Sequence, residues 1–391
     1  MKKIIYLILA GLAICACEST MKKGKELTPD EQKNKLEVTA QTLMDEMPAE
    51  DFDEFSDLAS FLNDTYFSKT DFDFSEFGNR YEELYNEFLT EDINGAYLTL
   101  VLSQCTGEFS FGDNSITYKD SEKLSLSITD DNGDNWVTEL QTSGKTNTIA
   151  NNDFNVTLKI PEQIGVVVTK NGKTVVSVTV TYDLDLSSNI NPSKDKAEIT
   201  EKVIIKDYEI YHNSKFNART GNASVSATVT KNGKNLLNYS ATGEVSLSGG
   251  NIDEAEFKTV SNAKISADIL GSVQIQGTLD DYLEIMKILD EPGIVGSYEA
   301  AIKKANSMMD VSVRYDGTST VQAKIELEYQ YHREVDGQYE YEHYSIIPVI
   351  VFNDGSRYNV EDYFSEDRFS DLIDMFGNFL EMYKNLIERI G

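Results

Sequence analysis

The chain has 391 residues, 35 of them basic and 66 acidic, for a formal charge of −31. A charge of that sign repels phosphate backbones and argues against nucleic-acid partners. Three cysteines are too few for a disulfide framework, so an exported chain of this composition must rest on an ordinary hydrophobic core.

Lys2 and Lys3 precede an apolar stretch from Ile4 to Ala13, which has signal-peptide length and is too short to span a bilayer. The stretch ends in Ile14-Cys15-Ala16-Cys17. This resembles the lipobox of bacterial lipoproteins: a branched aliphatic residue, two small residues, then the cysteine that is lipidated and becomes the new N-terminus. The resemblance implies loss of residues 1–16, a lipid on Cys17, and a tether over 17–27 that holds the chain to a membrane. Cys105 is then the one thiol left, and reads as a buried structural cysteine. Lipoproteins of Bacteroidetes bound for the outer surface carry an acidic run after the cysteine. Here Glu18 is followed by Lys22, Lys23 and Lys25, so the resemblance implies a periplasm-facing lipoprotein of the outer membrane.

Residues 28–100 read as a helical leader. Thr28-Pro29-Asp30-Glu31 is a capping-box start. Apolar stripes follow at helical spacing: Leu36, Ala40, Leu43, Met47, then Phe55 to Tyr66, then Phe77, Tyr81, Leu84, Tyr85, Phe88.

Over 101–278 the period becomes 2, as in Val176, Val178, Val180 and Tyr182, which predicts strands with one dry face. Asn-Gly or Asp-Gly ends at Gly133, Gly172, Gly233, Gly337 and Gly355 mark hairpins. Opposed residues share a face. A two-residue loop at Asn171-Gly172 would set Val176 opposite Val167, on the wrong face. Three-residue loops with a glycine bulge are therefore predicted at all five, pairing Val176 with Val166, Leu237 with Ala227, Trp136 with Ile128, Tyr341 with Tyr331 and Tyr358 with Ile350. Gly172, Gly233 and Gly337 should then have positive φ. Thr169-Lys170-Asn171-Gly172-Lys173 recurs as Thr230-Lys231-Asn232-Gly233-Lys234, by internal duplication or by reuse of a favourable turn.

A helical insert is expected over 279–309, further hairpins over 310–360, and a C-terminal helix over 361–391 with a stripe from Phe369 through Phe376 to Ile390. The fold class is α+β: a large curved antiparallel sheet of hairpins, open or an unclosed barrel, packed against N-terminal and C-terminal helices.

No nucleophile elbow, phosphate loop or dinucleotide fingerprint is present, so no catalytic residue, cofactor or metal is assigned. The predicted register sets His332 beside Glu340 and His343 near Tyr329, on different faces. Asp130, Asp131, Asn132 and Asp134 offer oxygens for calcium, but a hairpin explains them and the twelve-residue EF-hand loop is missing. Small residues on the dry rows over 221–277, including Ala223, Ala227, Ala241 and Ala267, leave room for close packing or for an apolar ligand, with Phe376 as a further contact.

The style of the chain resembles cell-envelope lipoproteins of Bacteroidetes, and the architecture resembles carriers that hold lipid in an unclosed barrel. The function expected is a membrane-anchored, non-enzymatic envelope lipoprotein that binds an apolar or amphiphilic ligand between sheet and helices. The alternative is a structural or adhesive lipoprotein meeting a partner protein or a glycan.

Overall fold

The computed structural model describes residues 23–48, 51–52, 54, 58, 61, 65, 73, 75–92, 95–101, 106–112, 115–151, 156–186, 194–248, 256–336 and 339–359. The expected signal peptide, Cys17, Cys105, Gly337, Phe376 and the C-terminal stripe lie outside these residues, as does most of Phe55 to Tyr66.

Two strands, β1 (Leu89–Asp92) and β2 (Gly95–Val101), begin where the leader was still expected to be helical. They are followed by β3 (Gly107–Phe111), β4 (Ile116–Lys119) and β5 (Leu124–Thr129). The long strands are β6 (Asn135–Asn151), β7 (Val156–Lys170), β8 (Lys173–Asp185), β9 (Lys196–Ile205) and β10 (Tyr208–Asn217). The meander continues as β11 (Asn222–Lys231), β12 (Lys234–Ser248), β13 (Glu256–Ile269) and β14 (Val273–Asp281). It ends with β15 (Met309–Tyr315), β16 (Ala323–Asp336), β17 (Tyr339–Phe352) and β18 (Arg357–Asn359).

From β5 to β18 each strand pairs antiparallel with the next. Two parallel pairings, β3 with β5 and β2 with β7, make the sheet mixed rather than purely antiparallel. Among the described residues it is open, with β1, β4 and β18 each laddered on one side.

The helices delimited among the described residues are α1 (Pro29–Glu46), α2 (Ser75–Phe88), α3 (Tyr282–Asp290) and α4 (Tyr298–Ser307). The expected capping box forms: Thr28 N–H donates to Glu31 Oε2 at 2.8 Å, and Glu31 N–H to Thr28 Oγ1 at 3.3 Å. Asp281 and Ser297 cap α3 and α4 by accepting from Glu284 N–H and Ala300 N–H. Ile285 and Leu289 of α3 and Ala305 of α4 then bury against Leu279, Leu327 and Tyr329, closing one end of the dry face.

The N-terminal segment runs across the opposite end, over the short hairpin turns. Leu36 packs on Val273, Tyr315 and Phe352, and Leu43 on Ile205, Tyr208 and Leu236. An 18-residue helix is about 27 Å long, the width of five or six strands at about 4.8 Å. One helix therefore crosses from the β15–β16 turn to β10. Beyond it Phe52 stacks against Tyr208, and Phe61 joins the cluster of Phe109, Ile116 and Ile128.

The Thr-Lys-Asn-Gly-Lys repeat builds the same socket twice beneath this segment. Lys170 Nζ sits 4.9 Å from the Trp136 ring centre and 3.0 Å from both Glu54 and Asp134. Lys231 Nζ sits 4.8 Å from the Tyr208 ring centre and 2.8 Å from Asp51. Each lysine thus lies on an aromatic of the preceding hairpin and grips an acid of the N-terminal segment.

These contacts shift the acids. The Lys231 ammonium, with the Tyr208 hydroxyl, holds Asp51 below the usual carboxylate range; Asn171 and then Lys170 do the same for Asp134. A depressed folded pKa stabilises the fold above the unfolded aspartate value of about 3.9 and stops doing so as pH falls through the folded value. Denaturant melts of wild type and Asp51→Asn should therefore differ at pH 6 and converge as the pH falls below the folded value. A constant gap across that range would remove Asp51 from the docking account.

The turns correct part of the register. At Asp131-Asn132-Gly133 and Asn353-Asp354-Gly355 the three-residue loops form, and Trp136 pairs with Ile128 and Tyr358 with Ile350 as expected. At the two Lys-Asn-Gly-Lys turns the loop has only two residues. Asn171 and Gly172 have φ of 51° and 78°, and Asn232 and Gly233 51° and 75°, as a type I′ turn requires. A one-residue bulge then restores the face, so Val176 pairs with Val168 and Leu237 with Val229, each two residues from the predicted partner. The longer turn at Gly133 has a local cause: Asp130 Oδ1 accepts from Asn132 N–H and Asp134 N–H. No atom lies within 4 Å of a β-carbon placed on Gly233, so Gly233→Val should cost about 1–2 kcal/mol in urea melts through backbone strain alone.

The β16–β17 register also differs. Tyr331 pairs with Tyr344 and Tyr341 with Glu334, because the buried Ile350 and Phe352 put the even positions of β17 on the dry face.

Candidate functional site

The small residues proposed for a ligand cavity lie opposite large ones. Ala223 pairs with Phe216, Ala241 with Ile265, and Tyr239 stands between Ala227 and Ala267. Ala267 is fully buried, and a β-carbon on Gly277 would meet Val311 and Ile265 at 3.0 and 3.1 Å. The small positions make space for neighbouring side chains. Ala223, Ala227 and Ala241 remain half-buried.

The dry face also holds a polar line that the sequence did not disclose. His212 pairs with Glu201 across β9–β10 and shares its strand face with Ser214. Ser214 Oγ is 3.2 Å from His212 Nε2, and His212 Nδ1 is 3.3 Å from Glu201 Oε2 but out of line for a hydrogen bond. Acyl transfer also needs N–H donors aimed at an oxyanion. β9, β10 and β11 each pair on both sides, so their amides serve the ladder.

His332 and His343 are directly opposed in β16–β17, not on separate faces, because that register differs from the expected one. The acidic turn uses its carboxylates structurally: Asp130 accepts from Trp136 Nε1, and Asp134 from Asn171 Nδ2. A cleft of about 290 Å³ between β6 and β8, lined by Lys145, Thr146, Asn147, Leu184 and Asp185, is polar and lies away from residues 223–277.

The outer face carries the most regular feature. Ser143, Gln163, Thr181, Thr200 and Asn213 on β6 to β10 continue in register as Ser226, Ser240, Ser266, Gln276 and Ser312 on β11 to β15. Ten consecutive strands thus present an uncharged hydrogen-bonding side chain in one row. Its members are spaced by the strand separation of about 4.8 Å. The flanking rows mix charged and uncharged residues: Asp183, Glu198, Lys215, Lys264 and Asp310 stand among Ser224, Thr242 and Thr278 on one side, and Lys202, Asp268 and Arg314 among Thr179, Thr228, Asn238 and Gln274 on the other. Asn213 and Ser312 are buried among their neighbours; Ser143 and Gln163 are exposed and the remaining six half-buried. Strand alternation marks these positions as polar, but only the register across all ten strands aligns them.

Comparison with protein-family models, with curated proteins and with solved structures finds no match.

Proposed function

We propose that this chain is a membrane-anchored, non-enzymatic protein of the cell envelope that offers the outer face of its sheet to a neutral, hydroxyl-rich glycan. The uncharged row carries the reading. In a chain of charge −31, ten aligned positions without one ionised group match a partner that presents hydroxyls rather than charges. The row repeats at an interval comparable with the rise of one sugar along an extended glycan. Hydroxyl and amide side chains both donate and accept, as sugar hydroxyls do.

Affinity electrophoresis in gels of neutral polysaccharide tests it. The wild type should be retarded, and Thr200→Glu with Ser226→Glu should migrate freely while melting as a folded protein. Unretarded wild type across neutral glycans ends the glycan reading. The lipobox supports the anchor, and Cys17→Ser should shift the protein from the membrane to the soluble fraction or leave it as precursor. Continued incorporation of radioactive palmitate by Cys17→Ser would end the anchor reading.

A second reading keeps the apolar or amphiphilic ligand between sheet and helices. It is favoured by the half-buried dry-face residues Ile199, Ile210, Phe216 and Val225, which lie outside the clusters packed by α1. Native mass spectrometry of protein taken from its host membrane should then show retained lipid.

A further inference from the structure

We infer that the hairpin-turn end of the sheet, beside β15 and β16, faces the membrane. This rests on the anchor reading above and adds an orientation to it.

The chain leaves the anchor and enters the fold at a fixed point. Gly24 N–H donates to Thr320 Oγ1, and Thr320 Oγ1 donates to Gly24 C=O, both at 2.9 Å. Gln322, 1% exposed, then holds the next turn of backbone: its Nε2 donates to Lys25 C=O at 2.7 Å, and its Oε1 accepts from Leu27 N–H at 2.8 Å. Gln32, fully buried, donates to the Gln322 and Leu27 carbonyls and closes the clamp. The approach is close. A β-carbon on Gly24 would stand 2.6 Å from Thr318 Oγ1, so glycine alone fits against that turn.

Six residues separate Cys17 from Gly24, and the seven extended steps between them reach at most about 25 Å. The lipid therefore cannot hold this end farther than that from the head groups. The opposite end is a full strand away. The ten residues of β10 alone span about 33 Å, so the turn at Thr220 lies beyond the reach of the tether when the strands stand upright. Charge favours upright over flat. The outer face carries these acids as ion pairs, Asp183 with Lys196, Glu198 with Lys215 and Asp310 with Lys324, which leaves anionic head groups little to attract, whereas Lys22, Lys23 and Lys25 lie in or beside the tether. Upright, the uncharged row runs parallel to the membrane and clear of it.

The test uses the lipidated full chain with Cys105→Ser, in vesicles of phosphatidylethanolamine and phosphatidylglycerol that carry an acceptor dye on their head groups. A donor dye is placed on Ser319→Cys, at the turn end, or on Thr220→Cys, at the far end. Ser319 should transfer energy strongly and Thr220 weakly, with distances of closest approach differing by about 30 Å. Equal transfer, or stronger transfer from Thr220, overturns the orientation. Twenty Gly/Ser residues inserted after Lys22 add a mean reach of about 25 Å and should weaken transfer from Ser319. Unchanged transfer from Ser319 also overturns it. Vesicle flotation separates the two claims: if Cys17→Ser protein floats as well as wild type, the anchor reading itself has failed.

Discussion

Deleting Leu236 should leave no folded protein, and Leu236→Ala should lower stability by about 2–5 kcal/mol in denaturant melts. Leu236 is the extra residue of the bulge that follows the Asn232-Gly233 turn, and it is fully buried. It lies in one cluster with Leu43, Phe52, Ile205 and Tyr208, so truncation opens a cavity where the N-terminal segment meets the sheet. Deletion does something different. Without the bulge the two-residue loop continues as a regular hairpin, and β12 slips by one. Leu237, Tyr239 and Ala241 would then point to the outer face, and Ser240 and Thr242 to the core. A folded deletion variant would show that the bulge is dispensable to the face of β12. Leu236→Ala combined with Leu43→Ala should be non-additive, because the two side chains line one cavity.

That bulge also marks how far the sequence could be read. The dry rows, the hairpins and the positive φ of Gly172 and Gly233 follow from alternation and turn chemistry. Face arithmetic correctly forbids a regular two-residue hairpin at Lys170-Asn171-Gly172-Lys173. It cannot distinguish a three-residue loop from a two-residue loop plus a bulge, since both restore the face. Asn-Gly takes the left-handed pair at Asn171-Gly172 and Asn232-Gly233, yet Asn132-Gly133 takes the three-residue loop, where Asp130 Oδ1 accepts from Asn132 N–H and Asp134 N–H. In β17 the tyrosines at 339 and 341 suggested the wrong face, and burial of Ile350 and Phe352 overrides them. The Glu201–His212 pair was hidden because the β9–β10 turn, Lys206-Asp207, has no glycine to announce its register. The outer row was hidden for a related reason: its alignment is the product of nine successive strand pairings, and one misplaced bulge breaks it. The path of the leader had one local sign, the repeated Lys of the two Thr-Lys-Asn-Gly-Lys turns, whose role shows only when Asp51 and Glu54 arrive above them.

Lys231→Met should cost about 1.5–3 kcal/mol, the range for hydrogen bonds to charged groups, although a surface lysine is usually worth much less. Lys231 is only 19% exposed in its side chain. Burial alone would disfavour its charge, yet the Asp51 carboxylate and the Tyr208 hydroxyl hold it above the usual lysine range. Its ammonium donates to Asp51 Oδ2 at 2.8 Å and to the Glu46 carbonyl at 2.9 Å, and Tyr208 donates to both of the same groups. The Glu46 carbonyl belongs to the last turn of α1, so the lysine also takes up an acceptor at the helix C-terminus. Methionine keeps the length of the side chain and its contact with the ring, and removes every donor. What remains is a carboxylate and a helix-end carbonyl held by one hydroxyl. Lys173→Met, at an exposed position in the same kind of turn, should fall within about 0.5 kcal/mol of wild type. A double-mutant cycle of Lys231→Met with Asp51→Asn should show a coupling of about 1 kcal/mol or more, as contacting members of one network do. If Lys231→Met and Lys173→Met cost the same, Lys231 is an ordinary surface charge, and the N-terminal segment is held on the sheet by Leu36, Leu43 and Phe52 and by the Gln322 clamp rather than by this lysine.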